Sequence, residues 1–228
     1  MSQLASAQGA TTIMVIRHAE KPDTYGGQAY AGVTLTGSSC GKSGTEDLVT
    51  LGWQRAGGLV TLFAAPWGPK SGLATPQFLY ASDPDAKDAS ARDAKSEKLP
   101  SQRPYETLLP VAAKLGLTID TSFTKKHYDT MVTDALAQAG VVLIAWQHED
   151  IPLQNGDGGP GISQEILTQT GTTGTLGIPA TWPETPEGQA RYDLVWVFNR
   201  PSGTGPIASF TMVPQLLLAG DLPWSAAP

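Results

Sequence analysis

Cysteine is nearly absent from this chain: Cys40 is the only one in 228 residues. No internal disulfide can form, so the fold does not depend on an oxidising compartment, and a cytoplasmic location is expected. Long apolar runs are missing too. None reaches the roughly 18 residues of a membrane span, and residues 1–10 lack the basic stretch followed by an apolar one that marks a signal peptide. Positive charge is in deficit, with 15 Lys and Arg against 21 Asp and Glu and a formal charge of −6. Neither nucleic acid nor an anionic membrane is therefore an expected partner, and any anion site has to be built locally. Histidine is scarce as well. His18, His127 and His148 are the only three, and no two share a short spacing of the kind that ligates a metal, so neither metal nor cofactor is expected.

Glycine and proline are abundant, at 25 and 18 residues, well above the roughly 12% of ordinary usage. Long irregular connections follow from this, and a compact all-helix bundle does not. The length suits one well-buried domain over residues 1–228. Residues 11–16 (TTIMVI) form a β-branched, nearly continuous apolar run, the pattern of a strand buried on both faces. Residues 77–81 (QFLYA), 141–146 (VVLIAW) and 194–198 (LVWVF) read the same way. Polar residues follow each: Arg17-His18, Ser82-Asp83, Gln147-His148-Glu149 and Asn199-Arg200.

Helical stretches fall between these strands at residues 52–65, 103–115 and 129–139, the last two followed by Gly116 and Gly140, which suit helix C-termini. Strand and helix alternate. The fold class expected is α/β, a mainly parallel central sheet with helices on both faces. Loop insertions are expected near residues 25–45, 83–101 and 155–175, which are rich in glycine or in small and charged residues. In open α/β sheets ligands bind beyond the carboxyl ends of the strands, where these polar residues recur.

Arg17 is always cationic and can grip phosphate oxygens with a two-pronged fork, while the neighbouring His18 imidazole can attack phosphorus. Arg103 opens a helix with Pro104 in its first turn, where the helix N-terminus favours anions. His148 closes a strongly apolar strand, with Glu149 and Asp150 beside it. Each has a plainer reading, as a surface pair, an exposed cap and a loop histidine.

Taken together and in this order, the elements resemble the histidine phosphatase, or phosphoglycerate-mutase-like, superfamily. The matching features are an apolar strand ending in Arg17-His18, Arg103 with Thr107 four residues on, and a late strand closed by His148. The segment Leu51 to Ala56 is similar to the family's glycine-initiated helix. The resemblance implies a phosphoglycerate-mutase-like fold and a phosphatase acting on a small phosphorylated substrate without metal. It makes His18 the residue that is phosphorylated and sets Arg17, Arg103 and His148 around the phosphoryl oxygens. It makes Glu149 the first candidate for leaving-group acid, since the acid-phosphatase and phytase branch places an aspartate there. Glu20 is the second, and Glu106 is a possible cap. Ala19 stands where the family often has Gly, which points to a less typical subgroup. Arg103 lies far from Ser82, implying the insertion near 83–101; Arg92 is the fallback arginine. A phosphomutase and a silent phospholigand-binding member are the alternatives.

Residues 37–43 (GSSCGKS) imitate a phosphate-binding P-loop, but three residues separate the glycines where the motif needs four. Cys40 lacks the arginine of a thiol-phosphatase loop. His127 follows two lysines and reads as an exposed basic turn.

Overall fold

The computed structural model describes residues 9–22, 46–85 and 101–223. The P-loop imitation at 37–43, Cys40, Arg92 and most of the expected insertions at 25–45 and 83–101 lie outside these residues. In chain order the described elements are β1 (Ala10–Arg17), α1 (Thr50–Phe63), β2 (Phe78–Ala81), α2 (Arg103–Leu115), β3 (Ile119–Asp120), α3 (Tyr128–Ala137), β4 (Gly140–Trp146), α4 (Ile162–Gln169), β5 (Leu194–Asn199) and β6 (Ser209–Pro214). The strands form one six-stranded sheet in the order β3-β2-β4-β1-β5-β6. β1, β2, β3 and β4 run parallel, whereas β5 is antiparallel to β1, and β6 to β5. The sheet is therefore mixed and mostly parallel.

Strand alternation assigns β1 to two cores at once. Ile13 and Val15 join Ile144, Trp146, Trp196 and the inner faces of α3 and α4. Met14 and Ile16 join Leu143, Ala145, Val195 and the inner faces of α1 and α2. Both faces of β1 are apolar because both are covered, which is why no polar alternation shows in its sequence.

Several expectations change. Residues 155–175 are not all loop, since α4 lies inside them. The third helix spans Tyr128–Ala137, and Gly140 is the first residue of β4 rather than a helix cap. Gly116 does cap α2, with a left-handed φ of 66°. The most consequential change is the direction of β5. Being antiparallel, it carries Asn199 and Arg200 to the edge opposite Arg17, because Asn199 pairs with Thr12 near the start of β1. The residues just before β5 lie at the Arg17 edge instead.

Gly52 lets α1 approach the chain just after β1. A Cβ built there would sit 2.7 Å from the Glu20 carbonyl oxygen and 3.0 Å from its nitrogen. Alanine has the better helix propensity, but here it must push two backbones apart. Gly52→Ala is expected to destabilise the fold by about 1–3 kcal/mol, read as a lower midpoint in thermal melts.

Candidate active site

Arg17 pairs with Trp146 across β1 and β4, and Ala81 of β2 pairs with Ala145. Three parallel strands thus end together. The ladder continues one residue beyond β1, as His18 N–H donates to the Trp146 carbonyl at 3.0 Å. The next amide, Ala19 N–H, donates to Thr107 Oγ1 at 2.8 Å, and that hydroxyl donates to the Arg103 carbonyl at 2.7 Å. One hydroxyl therefore ties the chain after His18 to the first turn of α2. The four-residue spacing of Arg103 and Thr107 has this physical content: the side chain reaches one turn back along its own helix while its oxygen still accepts from outside.

Arg17 is buried. Its Nη1 donates to the carbonyls of Ala190 and Arg191, and its guanidinium carbon lies 3.6 Å from the Tyr192 ring centroid. The Tyr192 ring is also 6.1 Å from that of His18. The segment before β5 is itself pinned, since Arg191 forms a two-pronged pair with Asp193 at 2.8 and 2.7 Å, and Trp182 Nε1 donates to the Arg191 carbonyl. The face and one nitrogen of Arg17 are thereby fixed. Its Nε is fully buried and meets no acceptor among the described residues, so a buried donor at the strand end awaits an acceptor.

His18 Nδ1 is 2.7 Å from the Ala19 carbonyl oxygen. A carbonyl only accepts, so Nδ1 carries the proton and Nε2 keeps its lone pair. Burial holds the His18 pKa well below its ordinary value, helped by the positive charges of Arg17 and Arg103. Both effects disfavour imidazolium. The neutral imidazole is thus the favoured form, oriented by the Ala19 carbonyl.

His148 opens a single 3-10 turn, His148–Asp150, just beyond β4. Its Nδ1 lies 3.0 Å from Glu149 Oε2, and Glu149 Oε1 is 2.7 Å from Lys125 Nζ. Burial pushes the Glu149 carboxyl up, but His148 and Lys125 overcome it and hold the group well below the usual carboxylate range. The ionised form of Glu149 is the one these two neighbours favour. The neighbouring Asp150 is pushed up to about 6, mainly by burial.

Glu20 is committed elsewhere. Its Oε1 accepts from Arg55 Nε at 2.8 Å, and the same guanidinium binds Gln215 and Asp221. Glu106 does not cap its own helix; its Oε2 accepts from Leu48 N–H at 2.8 Å. Burial and a hydrogen bond to Asp47 push its carboxyl up to about 8, while the Leu48 amide and Arg103 pull the other way. Between the usual carboxylate range and pH 8, folded Glu106 keeps a proton that the unfolded chain releases. Stability contributed here therefore falls as pH rises through that window. Gln keeps both hydrogen bonds without titrating, so Glu106→Gln is expected to flatten the pH dependence of the melting midpoint between pH 5 and 8.5, with its largest gain at the alkaline end.

The structure thus gathers Arg17, His18, Arg103 and His148. Arg17, Arg103 and His148 all bear electrostatically on His18. Arg103 is met by Glu46 at 3.3 Å. His127 lies exposed at the entry to α3, against Thr124. Sequence reasoning missed Tyr192 and Arg55. An antiparallel reading of the 194–198 run would have brought forward Arg191-Tyr192-Asp193; for Arg55, inside α1, the sequence carries no comparable signal. Among the described residues no three His, Cys, Asp or Glu side chains are grouped to hold a metal ion, and no helix is long and apolar enough to cross a membrane. No protein-family model and no curated protein matches the chain.

Proposed function

We propose that this protein is a phosphomonoester hydrolase of the histidine phosphatase kind, with a phosphoglycerate-mutase-like fold, that passes the phosphoryl group through His18. The observation that carries the reading is the His18 tautomer. Nδ1–H is held by the Ala19 carbonyl, so Nε2 keeps its lone pair on a ring that two arginines and a second histidine act on electrostatically.

In the first step the Nε2 lone pair forms the N–P bond as the P–O bond to the leaving group breaks, and that oxygen departs with the electron pair. In the second, water attacks phosphorus, the N–P bond breaks, and inorganic phosphate leaves with His18 restored. Charge on the equatorial oxygens is met by Arg17 and Arg103, and by His148 when both its ring nitrogens carry protons. Glu149 steadies His148 and Lys125 in this scheme.

An aryl phosphate is the suitable probe, because a nitrophenolate leaves without being protonated and so tests the His18 step independently of any acid. Phosphate release from para-nitrophenyl phosphate is expected from pH 8 down to mildly acidic conditions, since the depressed His18 pKa keeps Nε2 unprotonated below the ordinary 6.5. Absence of release from pH 4 to 8 sinks the proposal. Transfer of phosphate to a second position on a sugar phosphate, with no free phosphate, would mark a mutase instead.

A further inference from the structure

We infer that Gln147, seated on Ser82, is a further donor to the phosphoryl group, a neutral arm of the anion cradle between the ends of β1, β2 and β4. The inference rests on the reading of His18 as the phosphoryl acceptor.

Three observations lead to it. Gln147 directly follows Trp146, whose carbonyl holds His18 N–H, so its backbone begins beside the nucleophile. It continues extended at φ −75°, ψ 134°. Alternation then places it on the sheet face of Leu143 and Ala145, the face covered by α2, whose first two turns carry Arg103 and Thr107. Its side chain is buried, at 4% exposure, yet only half used. Nε2 donates to Ser82 Oγ at 3.1 Å, while Oε1 meets no partner among the described residues.

A buried amide with one idle end is costly. Such groups call for an explanation at a functional site. The two ends of a glutamine amide have the same shape, and a serine hydroxyl can accept or donate. Turned over, the amide accepts from Ser82 Oγ–H through Oε1 and presents Nε2–H to a phosphoryl oxygen. Both ends are then satisfied, and no further charge has been desolvated beside Arg17 and Arg103. Ser82 is the seat that permits either orientation, and is a positioning residue rather than a catalytic one.

The test uses inorganic phosphate and orthovanadate as probes, with binding measured by calorimetry on the full chain and turnover of para-nitrophenyl phosphate measured alongside. Gln147→Glu keeps the shape and replaces the donor by a charged acceptor. Orthovanadate affinity and kcat/KM are expected to fall about 100-fold. Gln147→Leu removes the donor without adding charge, and a loss of about tenfold is expected. Ser82→Ala keeps Gln147 but takes away its seat, and a severalfold loss in kcat and in orthovanadate affinity is expected.

Should Gln147→Glu fail to fold, Gln147→Leu and Ser82→Ala still decide the matter through anion affinity. Anion binding equal to wild type in the folded variants overturns the inference, even where thermal stability has changed, because that is what a purely structural glutamine would do. A wild-type protein that binds both anions but hydrolyses nothing defeats the hydrolase reading and leaves the cradle open to test by the variants. One that binds neither anion overturns the cradle and this inference together.

Discussion

His18→Ala is expected to lower kcat/KM for para-nitrophenyl phosphate on the order of 10⁴-fold or more, because in the proposed mechanism it removes the atom to which phosphorus is transferred and not merely a contact in the transition state. The substitution should leave the fold standing. The His18 backbone, not its ring, holds the ladder to Trp146, and Thr107 binds the Ala19 amide. Melting midpoints near wild type would separate lost chemistry from lost structure. Denatured wild-type protein quenched during turnover should carry phosphate on His18 as a phosphoramidate, stable in base and lost in acid. A His18→Ala protein that still turns over at wild-type rate would remove His18 from the chemistry altogether.

Arg103→Met is expected to cost about 100- to 1,000-fold in kcat, with a smaller rise in KM, since in the proposed mechanism the guanidinium serves the charge that accumulates on the transferring phosphoryl group. Methionine preserves the bulk and helical preference at the start of α2, and Thr107 reaches the Arg103 carbonyl whatever the side chain. A second readout is independent of the rate. Arg103 is among the charges that depress the His18 pKa, so its removal lets that pKa rise toward 6.5. The acid limb of the rate profile should accordingly move to higher pH. Unchanged kcat together with an unmoved acid limb would show that Arg103 faces away from the reaction.

The sequence was most readable where one physical demand dominates. β1 and β4 are buried on both faces, so TTIMVI and VVLIAW announce themselves, and the polar residues that end them had to lie at the sheet edge. α2 carries its own punctuation in Pro104 and Gly116. β5 is equally apolar, yet its composition is blind to direction, because a strand covered on both faces looks the same parallel or antiparallel. That blindness hid Tyr192. β3 is two residues long, and β6 is half exposed with no sustained pattern, so neither gives a periodic signal. Glu149 shows a different limit. Its place after His148 was readable, but its ionisation depends on Lys125, which precedes it by 24 residues and reaches it only through the fold.

The place of β1 in the sheet has a consequence for biosynthesis. The strand carrying Arg17 and His18 comes early in the chain, but its two hydrogen-bonding edges are filled by β4 and β5, and the Glu20 that follows is clasped by Arg55 together with Asp221 near the far end. A growing chain can therefore make the strand before it can build the surroundings of His18. The imidazole is buried and set against the Ala19 carbonyl only when later segments arrive to close these long-range contacts, which are slow to form.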